Sequence, residues 1–380
     1  MNGSIGARGA VAIFLAGLIV GVGVTGSFAR DQAPAWSATA SLATPRAYPQ
    51  GLLLATGKVL ITGGFGRSDG VVMRYQAEVF DVATGRSQVI EQPRAGRLFA
   101  SATTLRDDEV LLAGGAEKVG DGFIAHASAD LFDPWSGKWR TAAAMRQPRS
   151  DHGATLLRDG RVLIVGGHDG PRTLRSVEIY DPATNLWSAA APLPLARWTF
   201  SIATLLDGRV LVAGGFMDPG NATDTSLYYD PLNDTWTTGP YLSIERANHS
   251  TVQLANGDLL LVGGQRVAAG SAERYDWRSG EFVYAGTLNQ PRMVGQSAQA
   301  DDGSVVLIGG ILRPGTVDGF IPNAFVERWD PRTNLWTDIA SAPTARAGAV
   351  IVAVAGHICV LGGSERDDEP LATAECLRSP

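Results

Sequence analysis

The chain is poor in the residues that thiol and metal chemistry require, with only two cysteines and five histidines among 380 residues. No histidines have a tight metal-binding spacing such as HExxH, so the sequence indicates no metal ion, no other cofactor and no catalytic residue. The net charge is −6. Because positive charge is not in excess, the sequence argues against nucleic acid or an anionic membrane surface as a partner.

The first 29 residues have the features of a secretory signal peptide. Residues 9–26 form an unbroken run of apolar and small residues, and residues 27–29 (Ser-Phe-Ala) fit a small-x-small cleavage site. We expect cleavage after Ala29, which leaves residues 30–380 as a single exported domain, periplasmic or extracellular. The alternative is an uncleaved membrane anchor formed by residues 9–26, and only then would the membrane be a partner.

Glycine is abundant, with 46 residues, and a Gly-Gly pair recurs seven times along the chain. Each pair ends an apolar run of strand length. The pairs are Gly63-Gly64, Gly114-Gly115, Gly166-Gly167, Gly214-Gly215, Gly263-Gly264, Gly309-Gly310 and Gly362-Gly363. An arginine lies 16 or 17 residues before each pair, at Arg46, Arg97, Arg149, Arg197, Arg246, Arg292 and Arg346. Between arginine and glycines we predict two strands, joined in four repeats by an Asp-Gly or Asn-Gly turn.

A third predicted strand follows each Gly-Gly pair. In the first six repeats it ends in an aromatic residue and aspartate, as in residues 177–181, and in most repeats a tryptophan follows six residues later. This order of residues resembles the kelch repeat, and the resemblance covers residues 36–380. It implies an all-β fold, a seven-bladed β-propeller with four antiparallel strands per blade. The seventh repeat has no tryptophan strand, but Trp36 lies ten residues before Arg46, as in other repeats. We therefore expect residues 36–42 to close the ring within blade seven.

The resemblance also implies where a ligand would bind. In kelch propellers the repeat arginine lies near one mouth of the central channel, where several members hold anionic groups. The seven arginines are therefore candidates for an anion-accepting ligand face, and a structural role within each blade is the alternative. Two histidines follow a repeat arginine by three residues, and three other residues follow Gly-Gly pairs. These further candidate ligand-binding residues are His152, His249, Phe65, His168 and Phe216.

The two cysteines, Cys359 and Cys376, lie on the second and third predicted strands of blade seven. Because those strands should pair as neighbours, the cysteines could form a disulfide in an oxidising compartment. Two buried free thiols are the alternative.

These features favour a non-catalytic, monomeric binding module with a protein, peptide or carbohydrate ligand of anionic character. The alternative is a carbohydrate-active enzyme similar to the exported kelch-type sugar mutarotases and epimerases. Some hairpins also resemble those of galactose oxidase, whose copper centre requires a tyrosine cross-linked to cysteine. Because both cysteines fall in blade seven, the sequence argues against copper oxidation.

Overall fold

A computed structural model describes residues 36–38, 41–67, 71–73, 76–91, 96–120, 122–218, 220–264, 270–312, 321–366 and 369–378. The predicted signal peptide at residues 1–29 lies outside this part of the chain. Among the described residues there is no helix of sufficient length and apolar character to cross a bilayer.

The all-β fold is confirmed, and the described residues form seven sheets of four antiparallel strands. In the first three blades the strands are β2 (Gln50–Leu53), β3 (Val59–Thr62), β6 (Ala77–Asp81) and β7 (Arg86–Ile90); β8 (Ser101–Thr104), β9 (Val110–Ala113), β12 (Ala129–Asp133) and β13 (Lys138–Ala142); and β14 (Gly153–Leu156), β15 (Val162–Val165), β16 (Val177–Asp181) and β17 (Leu186–Ala190).

The next three blades repeat this order. Their strands are β18 (Ser201–Thr204), β19 (Val210–Ala213), β22 (Ser226–Asp230) and β23 (Thr235–Thr238); β24 (Ser250–Gln253), β25 (Leu259–Val262), β26 (Ser271–Asp276) and β27 (Glu281–Thr287); and β29 (Gln296–Gln299), β30 (Val305–Ile308), β33 (Val326–Asp330) and β34 (Leu335–Ile339). The seventh sheet consists of β35 (Val350–Val354), β36 (His357–Leu361), β37 (Ala374–Arg378) and β1 (Trp36–Ala38).

Smaller sheets extend the loops that follow four of the Gly-Gly pairs. They are β4 (Phe65–Arg67) with β5 (Val71–Met73), β10 (Ala116–Val119) with β11 (Gly122–Ala125), β20 (Phe216–Met217) with β21 (Asn221–Ala222), and β28 (Arg292–Met293) with β31 (Ile311–Leu312) and β32 (Ile321–Pro322). Because all four follow the second strand of a blade, they lie at the same end of the propeller. We call this end the loop face.

Burial follows the position of each strand within its blade. The second strand is buried along its whole length, as in the Val-Leu-Ile-Val run of β15, because neighbouring blades cover both its faces. The fourth strand is mostly exposed, as in β17. The hairpin between β14 and β15 turns at Gly160, whose φ of +93° suits glycine. This gradient places the core between blades.

The repeat tryptophan ties blades three, four and six to the preceding blade. Its ring packs on the aromatic residue of the third strand, with 5.0 Å between the centroids of Tyr180 and Trp187. Its indole nitrogen donates to a carbonyl near the end of the preceding blade's fourth strand. These bonds are Trp187 Nε1 to Ala143 O (2.7 Å), Trp236 Nε1 to Ala191 O (2.8 Å) and Trp336 Nε1 to Ala285 O (2.9 Å).

Trp36 makes the same contact from the other end of the chain. Strand β1 pairs with β37, so that Trp36 lies opposite Leu377. The indole of Trp36 donates to Ala340 O at 2.7 Å, at the end of the fourth strand of blade six. On the inner side of the ring, β2 of blade one contacts β35 of blade seven. The strand is shorter than the predicted residues 36–42, because it spans only Trp36–Ala38.

Strands β36 and β37 are also joined covalently. Cys359 and Cys376 lie directly opposite each other in the register and form a disulfide, with their Cα atoms 4.0 Å apart. Both side chains are buried in the core between blades seven and one.

Deleting residues 30–38 should lower the free energy of unfolding by roughly 2–4 kcal/mol, because it removes a packed tryptophan and exposes the edge of β37. Urea unfolding of exported protein measures the loss. Deletion of residues 30–35 alone is the control and should leave stability unchanged. Equal stability of the two deletion variants would contradict closure by β1.

Candidate functional site

The seven repeat arginines are buried inside the blades, each with 1% or less of its surface exposed. Six of them form an ion pair with a carboxylate on the third strand of their own blade. The pairs are Arg46–Glu78 (2.9 Å), Arg97–Asp130 (2.5 Å), Arg149–Glu178 (2.8 Å), Arg246–Glu273 (2.5 Å), Arg292–Glu327 and Arg346–Glu375 (2.7 Å). The expectation that these arginines face a ligand is therefore wrong, because their charges are used within the scaffold.

The same arginines connect the blades through the Gly-Gly pairs. Within a blade, the guanidinium donates to the carbonyl of the first glycine, as Arg149 Nη1 does to Gly166 O at 2.8 Å. Between blades, the second glycine donates its N–H to the carbonyl of the next repeat arginine. These seven bonds are Gly64 to Arg97, Gly115 to Arg149, Gly167 to Arg197, Gly215 to Arg246, Gly264 to Arg292, Gly310 to Arg346 and Gly363 to Arg46, at 2.8–3.3 Å.

Close approach explains why this position is glycine. A Cβ on Gly166 would lie 2.5 Å from Arg197 O, and its φ of +59° is itself unfavourable for other residues. The last bond of the series, from Gly363 to Arg46 at 2.8 Å, joins blade seven to blade one. The circuit of arginines and glycines is therefore continuous around the ring.

Blade four departs from this pattern. Leu227 occupies the position of the third-strand carboxylate, and no acidic group among the described residues pairs with Arg197. Arg197 instead donates to Gly214 O, Thr225 O and Thr225 Oγ1 at 3.1–3.2 Å. Burial without a counter-charge lowers the pKa of Arg197 to about 10. This guanidinium is nevertheless enclosed, with 1% exposed.

His152 and His249 also belong to the scaffold rather than to an accessible site. His152 Nε2 contacts Ser101 Oγ of the preceding blade at 2.8 Å, and His249 Nε2 contacts Ser201 Oγ at 2.5 Å. Burial, together with a nearby arginine, lowers the pKa of each histidine to about 3. Both therefore stay neutral and join neighbouring inner strands.

A different set of residues lies at the loop face, two positions before the first strand of each blade. The residue two positions after each repeat arginine has a left-handed backbone, with φ between +50° and +59°. Successive members bond to one another, as in Asp151 N to Phe99 O (3.0 Å), Thr199 N to Asp151 O (3.2 Å) and Tyr48 N to Gly348 O (3.0 Å). We call this set the mouth ring; its members are Tyr48, Phe99, Asp151, Thr199, Asn248, Val294 and Gly348.

The mouth ring is divided into an apolar and a polar sector. In blades six, one and two its side chains pack in one apolar cluster with Phe65, and in blade seven its member is Gly348. In blades three to five it presents Asp151, Thr199 and Asn248, which we call the polar arc. The backbone geometry is the same in all seven blades, whereas the side-chain chemistry differs. The propeller therefore presents a chemically asymmetric mouth on a symmetric frame.

His168 stands beside the polar arc and pairs with it. Its Nε2 lies 2.7 Å from Asp151 Oδ2, and its side chain is 22% exposed. Burial by itself would lower the pKa of His168, but the hydrogen bond and negative charge of Asp151 raise it above the ordinary value. Of the residues predicted to bind a ligand, His168 is therefore the one that the structure joins to the polar arc.

Aromatic residues form a wall next to this pair. The rings of His168 and Trp198 meet edge to face at 5.5 Å, and Trp198 packs on Phe216 at 4.8 Å. Phe216 itself is buried, as is Phe65 in the apolar sector. Both therefore support the mouth-ring residues from inside the protein. Trp198 is only partly buried.

Sequence reasoning missed the polar arc and Trp198. The available signal was variation, since the position two residues after the repeat arginine changes from blade to blade while its neighbours recur. A comparison restricted to recurring residues passes over such a position.

We expect Arg149→Met to cost about 3–5 kcal/mol of unfolding free energy, because Glu178 would stay buried without its partner. Arg197→Met should cost less, since no carboxylate is left behind. Urea unfolding of both variants measures the difference. Adding Glu178→Gln to Arg149→Met should recover part of the loss. Equal losses for the two single variants would contradict this account.

The Asp151–His168 pair should make stability depend on pH. Because the folded pKa of His168 is raised, its contribution is complete below an unfolded pKa of about 6.5 and is lost as pH rises through the folded value. The stability difference between wild type and His168→Gln should therefore shrink between about pH 6 and 9. The stability difference between Asp151→Asn and the double variant Asp151→Asn/His168→Gln should stay constant over the same pH range. A wild-type difference that grows with pH would contradict the assignment.

Comparison with known proteins supports the resemblance to the kelch repeat that the sequence indicates. A family model of the kelch motif matches residues 148–194 and 203–243, within blades three and four. Kelch-like protein 35 of Mus musculus is 38% identical over 73 residues, which cover 19% of this chain and 13% of that protein.

Two solved structures are similar across most of the chain. One, described as a novel fungal alcohol oxidase of the AA5 family in complex with copper, has a TM-score of 0.74 and 17% identity, and covers 92% of this chain and 77% of its own. The structure of YjhT has a TM-score of 0.59 and 16% identity, and covers 79% of this chain and 99% of its own. At these identities the similarity concerns the fold alone. The family model shows kelch motifs in blades three and four, and the arginine and Gly-Gly circuit of those two blades recurs in the other five.

Proposed function

We propose that this protein is an exported binding module that holds its ligand at the loop face. The observation that carries the proposal is the asymmetric mouth ring. A residue needed only for the scaffold recurs in every blade, as the repeat arginines do. The mouth ring keeps one backbone conformation but carries a different side chain in nearly every blade, as expected for positions that contact an asymmetric ligand.

The distribution of loops supports the same face. The smaller sheets all extend from this end, whereas the opposite end has tight turns such as the one at Gly160. Hairpin β10–β11 brings Phe123 to within 6.4 Å of Phe99 in the mouth ring. The same hairpin leaves Val119 and Ile124 more than half exposed. Apolar side chains displayed beside polar groups are typical of a binding surface.

Export is supported by the pattern of residues 9–29 and by the disulfide. Cys359 and Cys376 are the only cysteines, and both are oxidised. Structural disulfides persist in oxidising compartments such as the periplasm and the extracellular space. We therefore propose that residues 30–380 act outside the cytoplasm.

The geometry favours binding over catalysis. His168 Nε2 is held by Asp151, so this ring nitrogen is already occupied within the chain and is not available as a base for a substrate. Copper oxidation of the kind named for the fungal relative does not fit the donor set. Among the described residues there is no group of three or more His, Cys, Asp or Glu side chains that could hold a metal ion, and both thiols are consumed in the disulfide. A sugar epimerase or mutarotase is the remaining alternative activity.

The test compares two matched surface variants of the mature protein on an array of glycans and peptides. Ile124→Asp places a charge on the loop face, and Leu232→Asp places one on the opposite face, where Leu232 is 93% exposed. We expect Ile124→Asp to weaken retention of the bound ligands about ten-fold or more, because it puts an uncompensated charge into the contact.

Leu232→Asp should bind as the wild type does, and both variants should keep the wild-type thermal midpoint. The starting material is protein recovered outside the cytoplasm, which should begin at Arg30. Binding that Leu232→Asp abolishes and Ile124→Asp spares would overturn the assignment of the face. Turnover of an array glycan by the wild type would favour the enzyme instead.

A further inference from the structure

We propose that the polar arc, together with His168, binds hydroxyl groups of a neutral saccharide. This inference rests on the proposed binding function, names the ligand class, and replaces the repeat arginines as the recognition element. Asp151, Thr199 and Asn248 belong to consecutive blades, and a backbone hydrogen bond of 3.2 Å directly joins the first two. They therefore form one continuous stretch of the mouth ring.

Unused hydrogen-bonding atoms are the first argument. The three residues are only 4–5% exposed. Even so, Asp151 Oδ1, Thr199 Oγ1 and Asn248 Oδ1 have no hydrogen-bond partner within the part of the chain that the structure describes. Buried polar atoms in folded proteins nearly always have partners, and exceptions mark a water, an ion or a functional site. Three such atoms in succession indicate a group that binds from outside the chain.

Backbone strain is the second argument. Thr199 has a φ of +50°, a region that β-branched residues rarely adopt. Glycine would satisfy this backbone, as Gly348 does at the equivalent position of blade seven. A strained threonine whose hydroxyl bonds to nothing in its own blade contributes nothing evident to the scaffold. Strain retained at such a position points to a functional side chain.

The atoms themselves specify the ligand. A carboxylate oxygen and an amide oxygen accept hydrogen bonds only, and the threonine hydroxyl can accept or donate. The matching ligand must therefore offer several donors close together. Its charge is also constrained, because Asp151 and His168, 2.7 Å apart, compensate each other's charge and leave the arc without a net charge to attract an anion or a cation. A neutral ligand with several hydroxyl groups meets both conditions.

The aromatic residues beside the polar arc match the apolar C–H groups of a sugar ring. Trp198 lies edge to face with His168 at 5.5 Å, directly beside the polar arc. Phe99, the mouth-ring residue that precedes Asp151, packs both with the apolar sector and with Trp198 and Phe216. A saccharide presents C–H groups and hydroxyls on different faces, and aromatic rings beside polar acceptors match that division. Ordered water would satisfy the three oxygens but would form no apolar contact with these aromatic rings.

The experiment titrates the mature protein with neutral hexoses and N-acetylhexosamines, and with the matching uronic acids, by calorimetry. The diagnostic variant is Thr199→Val, which keeps the shape of the side chain and removes the hydroxyl. Its matched control is Thr237→Val, the same change at an exposed position of β23 in the same blade. Asp151→Asn tests the carboxylate with a side chain that tolerates the left-handed backbone.

We expect at least one neutral sugar to bind, and Thr199→Val and Asp151→Asn each to weaken it about ten-fold, the effect of losing one hydrogen bond in a buried site. Thr237→Val should change affinity by less than about two-fold. Thermal midpoints identify any variant that fails to fold. If Asp151→Asn fails to fold, Thr199→Val alone decides whether the polar arc binds the sugar.

Three outcomes would overturn the inference: no neutral sugar binds, the uronic acids bind more tightly, or Thr199→Val binds as the wild type does. If array ligands respond to Ile124→Asp but not to Thr199→Val, the polar arc is excluded and the binding function stands. If they respond to neither, both proposals fail. A crystal soaked in the neutral sugars that shows only water against the three oxygens would likewise overturn the saccharide assignment.

Discussion

The structure depends on one repeated arrangement, an arginine buried against a Gly-Gly pair. The guanidinium holds the first glycine's carbonyl and a third-strand carboxylate within its blade, while the arginine's own carbonyl receives the N–H of the second glycine from the blade before. One residue thus fixes both the inside of a blade and its contact with a neighbour. Removing one partner of a buried ion pair is costly, so the arrangement tolerates little change.

Because the arginines and glycines of the circuit are fixed, the side chain can vary at the mouth-ring positions beside them. Each mouth-ring residue sits between the arginine and the inner strand, with its backbone held on both sides and its side chain unspecified by the repeat. Blade three carries Asp151 there, whereas blade six carries Val294, and neither changes the bonds of Arg149 or Arg292. The symmetric frame therefore supports an asymmetric surface without loss of its own contacts.

The sequence was sufficient for most of the fold because spacing encodes it. Each Gly-Gly pair lies 16 or 17 residues after an arginine, and the repeat tryptophans lie ten residues before one, so an arrangement of four-stranded sheets follows from these spacings. The candidate site was harder to predict. Recurrence of arginine is compatible with a ligand face or with a scaffold, and only the positions of Glu178 and its equivalents decide between these. The polar arc escaped detection because the pairing of Asp151 with His168 joins two loops of the same blade that no local motif connects.

Blade seven has a consequence for the order in which the protein can fold. Trp36 is synthesised long before Leu377, the residue that lies opposite it in the sheet. Until β1 and β37 pair, the other six blades form an open arc with apolar surface and unpaired strand edges at both ends. The disulfide spans only 17 residues, so it can form locally as soon as β37 emerges and can hold that strand in register for β1. Nascent or truncated chains that lack the final strand should therefore be the species most exposed to aggregation and proteolysis.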